Sequence, residues 1–194
     1  MITKNIKVFV DLDGTLNEFQ EHFFSFIETL GYSYDYSKDS EYHMENAIVA
    51  PSKKDKKKIL STIMTDPFFW KTIPIQENSY EGLSYLNDNF STYIVTSPWD
   101  EKNKDMKINW MEENYPFISP KQIIFCHDKW ELYGNVIIED KPDTLQKCSE
   151  KGFITIARFQ PYNMDTHSDF FLHNWLEIPT IMEKVIKTIK GNTR

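Results

Sequence analysis

Cysteine is scarce in this chain. Two of its 194 residues, Cys126 and Cys148, carry thiols, too few for a disulfide framework. Cys126 lies in an apolar run and Cys148 on an expected helix, and both read as reduced thiols that pack. Long hydrophobic runs are missing: none approaches the roughly 18 residues that span a bilayer. Basic charge is in deficit, with 22 lysines and arginines against 29 acids and a net charge of −7. That balance argues against a general nucleic-acid binder, whose phosphate contacts need a basic surface. It leaves room for a small anionic substrate in a locally positive pocket. The five histidines, His22, His43, His127, His167 and His173, show no metal-ligand spacing. Repeats and low-complexity tracts are absent. Met1 to Lys7 leads straight into the first expected strand, so no signal peptide is expected. A soluble, cytoplasmic protein is the resulting expectation.

Core material is plentiful. Hydrophobic residues make up 40% of the chain and aromatic ones 15%, enough for one domain of ordinary size with a small insertion. Short apolar runs predict strands near 6–11, 92–96, 122–126, 135–139 and 153–157, and longer patterned stretches predict helices near 18–30, 53–65, 79–89, 101–114, 142–151 and 175–189. Strands alternating with helices imply right-handed crossovers and an α/β fold, with a mostly parallel sheet covered on both faces. The last helix is the clearest. Trp175, Ile178, Met182, Val185 and Ile189 recur at spacings of three and four, a core stripe. The region from 17 to 78 interrupts the alternation with two helical patterns, a polar stretch from Tyr32 to Asn46 and no convincing strand.

Polar groups gather where the apolar runs end. Ile6 to Val10 leads into Asp11-Leu12-Asp13-Gly14-Thr15, which puts two carboxylates at the carboxyl end of a buried strand, where ligand sites form in parallel sheets. Gly14 lets the chain turn sharply and leaves room beside the backbone. Thr96-Ser97 follow Thr92 to Val95, Lys129 follows Ile123 to Cys126 after two polar residues, and Glu139-Asp140 follow Val136 to Ile138. Each group alone has an ordinary explanation. Asp-Gly is common turn chemistry, Thr96-Ser97 and Glu139-Asp140 would serve as helix caps, and Lys129 would serve as a solvated loop residue. Four such groups in this order point instead to phosphoryl chemistry.

The order acid pair, hydroxyl, lysine, acid pair resembles the haloacid dehalogenase superfamily, and the resemblance spans Val8 to about Pro142. Within it, Asp11 to Phe19, Thr96-Ser97-Pro98, Trp110 to Pro116, Asp128-Lys129 and Val136 to Asp143 are similar to the 5'(3')-deoxyribonucleotidases, the cytosolic type C 5'-nucleotidases, as is the stretch from Pro67-Phe68-Phe69 to Pro74. Two positions depart from that family. Thr15 stands where its animal members usually carry Val, and Glu139 where it more often has Asp, one methylene shorter.

The resemblance implies a Rossmann-like three-layer α/β/α core made of 1–16 and 79–194, with 17–78 inserted after the first strand as a small helical cap that excludes water and contacts substrate. It implies Mg²⁺-dependent hydrolysis of a phosphomonoester in two displacements. Asp11 would be the nucleophile and Asp13 the general acid and then base. Thr96, Ser97 and Lys129 would meet the transferring phosphoryl group. The cation would be held by Asp11, Asp140, the Asp13 backbone carbonyl and, directly or through water, Glu139.

Phe19, Phe68, Phe69 and Trp70 are candidates for a wall against the nucleobase and the apolar edge of a deoxyribose, with Trp99 as a flanking candidate; cap-core packing is the competing explanation for each. Lys53, Lys54, Lys56, Lys57 and Lys58 form the one dense basic run. It reads as a solvated helix face, with steering of an anionic substrate or contact with a DNA end as the functional alternative. The leading expectation is a phosphatase of deoxyribonucleoside monophosphates, with no membrane partner and a homodimer left open. The alternatives are a related phosphatase acting on a sugar phosphate or nucleic-acid end, and a non-catalytic nucleotide-binding module.

Overall fold

The computed structural model describes residues 3–38 and 41–191. In chain order the strands are β1 (Lys7–Val10), two-residue β2 (Ser33–Tyr34) and β3 (Ile48–Val49), β4 (Ser91–Thr96), β5 (Ile123–Phe125), β6 (Val136–Glu139), β7 (Ile154–Arg158) and β8 (Phe170–Leu172). The helices are α1 (Phe19–Thr29), α2 (Lys53–Met64), α3 (Pro67–Thr72), α4 (Ser79–Asn89), α5 (Glu101–Asn114), α6 (Pro142–Glu150) and α7 (Ile178–Gly191).

Six strands form one parallel sheet in the order β5-β4-β1-β6-β7-β8. The apolar runs that predicted strands are those of a sheet buried on both faces. Alternate residues divide between the faces. Val8, Val10, Ile94, Val136, Ile138 and Ile156 join the large cluster that includes α4, α5 and α7, while Phe9, Val95 and Ile137 meet Cys148 of α6 and Phe153 on the other side. The chain reverses direction across the sheet at β1, which pairs β4 on one side and β6 on the other. Val10 stands level with Ile94 and with Ile138, so the residues that follow β1, β4 and β6 emerge together at one edge.

Trp175, Ile178, Met182 and Val185 are buried as the last stripe predicted, but α7 starts at Ile178. Trp175–Glu177 form a separate 3-10 turn capped by Asn174, whose side chain accepts from the Leu176 N–H. Gly82 explains how closely this turn packs, because a Cβ there would meet Trp175 Cε3 at 2.7 Å.

Four of these strands and helices were not foreseen. β8 is a three-residue edge strand, too short to establish an alternation. α3 spans six residues, where Asp66 caps the N–H groups of Phe68 and Phe69 and Pro67 sits at the first position, a strong start signal hidden by the aromatic run behind it. The segment expected to hold no convincing strand contains β2 and β3, paired antiparallel through Ser33↔Val49 and Tyr34↔Ile48. Two residues per strand leave no period to read. The chain enters and leaves 17–78 side by side: Glu18 N–H donates to Pro74 O at 3.0 Å and Gln76 N–H to Leu16 O at 2.9 Å. Among the described residues, no helix is long and apolar enough to cross a membrane.

Candidate active site

Asp11 leaves β1 with its N–H bonded to Ile138 O at 2.9 Å, which aims its side chain at the end of β6. There the ammonium of Lys129 donates to Asp11 Oδ1 and, at 2.7 Å, to Glu139 Oε2. All three side chains are buried. Asp140 is buried beside them. Its Oδ1 accepts from Thr15 Oγ1 at 3.2 Å, its Oδ2 from the Tyr162 hydroxyl and its carbonyl from Asn163 Nδ2 at 2.8 Å. Thr15, one of the two departures from the family pattern, thus bonds the second acid pair directly. The turn that brings this about needs Gly14: its φ is +77°, and a Cβ there would meet Asp140 Oδ2 at 2.6 Å, so both the backbone and the space require glycine.

Asp13 points to the other side. Its Oδ2 accepts from Lys107 at 2.6 Å, and Lys107 also donates to Thr96 Oγ1 at 2.7 Å and to Ser97 O at 2.8 Å. Lys107 is 1% exposed. It lies on α5 with its ammonium over the Trp70 ring, 5.4 Å from the centroid. The Ser97 hydroxyl donates to Cys126 O at 3.2 Å.

Four carboxylates against two ammonium groups leave this region negative, and the protonation equilibria respond. Burial, with Asp11 next, pushes Glu139 up to about 7 despite Lys129. Burial, then Glu139 and Asp11, raise Asp140. Burial raises Asp13 as well, and Lys107 opposes it. For Lys129, burial works against the charge, but Asp11 and Glu139 outweigh it and raise its pKa. Burial and Asp140 raise Tyr162, so it stays a neutral hydroxyl that donates. Asp11, Glu139 and Asp140 each offer an oxygen within 4.8 Å of the others. A buried, all-carboxylate donor set of hard oxygens fits Mg²⁺ rather than a softer metal.

A cavity of ≈ 450 Å³ lies over these groups. Asp11, Asp13, Thr96, Ser97, Lys129, Glu139 and Asp140 line it, together with Phe19 and Trp99. Leu60 and Met64 of α2 and the stretch Tyr42 to Glu45 line it from the 17–78 segment. The remaining expected wall residues lie elsewhere. Phe69 is fully buried in an aromatic cluster, its ring 5.5 Å from Phe19 and 5.2 Å from Phe26. Phe68 is 66% exposed, and neither it nor Phe69 lines the cavity. Trp70 is buried and donates through Nε1 to Met64 O at 2.9 Å. Lys53, Lys54, Lys57 and Lys58 lie on the exposed face of α2, and the lysine run contributes nothing to the cavity lining.

Sequence reasoning missed Lys107, Tyr42 and Tyr162. Lys107 had a signal: it shares a helix face with Asn103, Trp110 and Met111, all buried, and a lysine on such a stripe is out of place unless paired. Tyr162 had one too, since Gln160-Pro161-Tyr162-Asn163 follows the apolar run of β7 just as the other site residues follow theirs. Tyr42 lies in a polar stretch without periodicity and had none.

Residues 4–188 match the family model described as 5' nucleotidase, deoxy (pyrimidine), cytosolic type C protein. The chain is 29% identical over 123 residues to a 5'(3')-deoxyribonucleotidase of Clostridium acetobutylicum, a match covering 63% of this chain and 66% of that protein. Among solved structures, a haloacid dehalogenase-like hydrolase from Streptococcus pneumoniae superposes with a TM-score of 0.66 at 18% identity, covering 91% of this chain and 98% of that one. A HAD-hydrolase from Bacillus subtilis bound to magnesium superposes with a TM-score of 0.60 at 12% identity, covering 91% and 97%. At such identities the structural likeness concerns the fold alone. With nearly its whole length matched by the family model, the chain belongs to the cytosolic type C deoxy (pyrimidine) 5' nucleotidases, hydrolases built on the haloacid dehalogenase-like fold.

Proposed function

We propose that the chain is a Mg²⁺-dependent phosphomonoesterase that hydrolyses deoxyribonucleoside 5'(3')-monophosphates to nucleoside and phosphate. One observation carries the reading: Asp11, Asp13, Thr96 and Lys129 all line one cavity, together with the apolar side chains of Phe19, Leu60, Met64 and Trp99. Family membership supports the substrate class. Residues 1–16 and 79–194 form the catalytic core in this reading, and 17–78 form the cap. The backbone hydrogen bonds between the entry segment at Leu16–Glu18 and the exit segment at Pro74–Gln76 support that division. The proposed setting is the cytoplasm.

Asp11 attacks phosphorus, the bond to the ester oxygen breaks, and an aspartyl-phosphate forms. Asp13 delivers its proton to the departing alkoxide, then takes one from the water that attacks the intermediate and frees phosphate and Asp11. Burial keeps the Asp13 proton available and Lys107 fixes one carboxyl oxygen, so the two aspartates have separate environments for separate tasks. Lys129 and the Thr96 hydroxyl stabilise charge on the transferring phosphoryl group. Asp11, Glu139 and Asp140 would hold Mg²⁺, with the Asp13 carbonyl as a further donor; the bound ion supplies the positive charge that lets an anionic ester approach a carboxylate. Phe19, Leu60, Met64 and Trp99 would face the nucleoside. An apolar wall beside the 2' carbon favours deoxyribose, because burying an unpaired hydroxyl costs free energy.

The test is phosphate release from deoxynucleoside and ribonucleoside monophosphates, sugar phosphates and a 5'- or 3'-phosphorylated oligonucleotide, with Mg²⁺ or EDTA, beside Asp11→Asn. Deoxynucleotide turnover that needs both Mg²⁺ and Asp11 is expected. Preference for a sugar phosphate or an oligonucleotide keeps the chemistry and overturns the substrate. Nucleotide binding without any turnover favours a binding module.

A further inference from the structure

Beyond the four polar strand ends, the segment after β7 also emerges at the carboxyl edge of the sheet. It holds the site at two points. Gln160 Nε2 donates to Gly14 O at 2.8 Å, which steadies the turn that follows the first two aspartates. Asn163 Nδ2 and the Tyr162 hydroxyl donate to the carbonyl and to Oδ2 of Asp140. With Thr15 on Oδ1, each oxygen of this carboxylate has one hydroxyl donor, which sets the plane of the group. A carboxylate has about four lone-pair sites, so two remain for a cation. The fit is close: the Cβ that Gly14 lacks would lie 3.1 Å from the Tyr162 oxygen.

The same tyrosine is a contact point for the 17–78 segment. Tyr42 meets the Tyr162 ring edge-on, with centroids 5.6 Å apart, and the Lys141 ammonium lies over the Tyr42 ring at 5.2 Å. The Lys141 N–H donates to Glu139 Oε1 at 3.2 Å. Both core residues beneath Tyr42 therefore bond one of the clustered carboxylates.

We infer that Tyr162 is a positioning residue with two functions: its hydroxyl orients Asp140 for the divalent cation, and its ring seats Tyr42 when the cap covers the substrate. This rests on the reading of Asp11, Glu139 and Asp140 as cation ligands. Partners that orient metal ligands tune the affinity of the site without touching the ion. Sharing one residue between the ligand and the cap seat links cation binding to cap closure.

The test is titration of the metal-free protein with Mg²⁺ by calorimetry, and with Mn²⁺ by loss of its free-ion EPR signal, for the wild type, Tyr162→Phe, Tyr162→Leu and Asp140→Asn. The melting temperature of each metal-free variant reports folding separately. Tyr162→Phe keeps the ring and is expected to bind both cations about 10–100-fold more weakly. A purely structural tyrosine would move the melting temperature and leave this affinity alone. Tyr162→Leu, which also loses the ring, is expected to match that affinity and to raise the deoxynucleotide KM severalfold above that of Tyr162→Phe, each measured at saturating Mg²⁺. Wild-type affinity in a folded Tyr162→Phe overturns the role of the hydroxyl, and equal KM values overturn the seat. Absence of cation binding in the wild type, or full binding in Asp140→Asn, overturns the ligand assignment instead.

Discussion

Lys107 uses all three of its N–H donors inside the protein, on Asp13 Oδ2, Thr96 Oγ1 and Ser97 O. Because Thr96 Oγ1 accepts from the ammonium, its own proton is free to face the cavity. Because Asp13 Oδ2 is held, Oδ1 is left for the leaving group; its contact with Asn17 Nδ2 is long, at 3.4 Å. Lys107→Met should therefore lower kcat on a deoxynucleotide by about 100-fold, the lower end of what general acid catalysis contributes. On p-nitrophenyl phosphate, whose leaving group needs no proton, the loss should be much smaller. Equal losses on the two substrates would detach Lys107 from the acid. Stability should fall by less than the roughly 3–5 kcal/mol of a fully buried broken pair, because the Asp13 side chain is 23% exposed and water screens what remains. Asp11, Thr96, Lys129, Glu139 and Asp140 were legible as a group because each follows an apolar run. Lys107 showed only its place on the stripe of Asn103, Trp110 and Met111; what it pairs with is visible only once the neighbouring elements are in place.

At the scale of elements, α3 governs the region next to the cavity. Six residues of helix turn Phe69 and Trp70 inward and leave Phe68 outside, since each residue is rotated about 100° around the axis from the one before and a buried arc can take two in succession but not three. Adjacent phenylalanines look equivalent in sequence, and only the helix phase separates them. α1 packs against this turn through His22, whose Nε2 lies 3.2 Å from Phe69 O and 3.1 Å from Thr72 Oγ1. The carbonyl can only accept, so the ring donates there. Burial lowers the His22 pKa, and the bond to Phe69 opposes it. The unfolded chain therefore takes up a proton more readily than the folded one. The stabilising contribution is fully present above the ordinary value of 6.5 and is lost as pH falls through that range toward the depressed value. Denaturant midpoints at pH 7.5 and 5.5 should show a larger loss for the wild type than for His22→Gln. Identical losses would mean that His22 does not couple α1 to α3 in this way.

At the scale of the molecule, the sheet order determines where charge accumulates. Placing β1 between β4 and β6 brings both acid pairs to one edge, and Lys107 and Lys129 neutralise half of the four charges. Glu139, pushed up to about 7, takes up a proton as the pH falls below that value, which relieves repulsion in the cation-free protein; a bound cation needs the carboxylate ionised. Mg²⁺ at a hundredfold excess over its Kd should raise the melting temperature by on the order of 5 °C at pH 8. The increment should shrink at pH 6, where protons compete for the site, and EDTA should abolish it. An increment that grows on acidification would exclude Glu139 from the cation site.

Sequence alone determined the alternation of strands and helices, because hydrophobic periodicity is a local property that each element carries by itself. It also determined which strand ends bear acids, a hydroxyl and a lysine, because parallel strands aligned in register bring whatever follows them to a single edge. The tertiary structure decided the pairing of Lys107 with Asp13, the outward turn of Phe68, the β2–β3 pair and the contact of Tyr42 with Tyr162. Each of these depends on the phase of a short element, or on a contact between residues far apart in the chain, and neither leaves a period in the sequence.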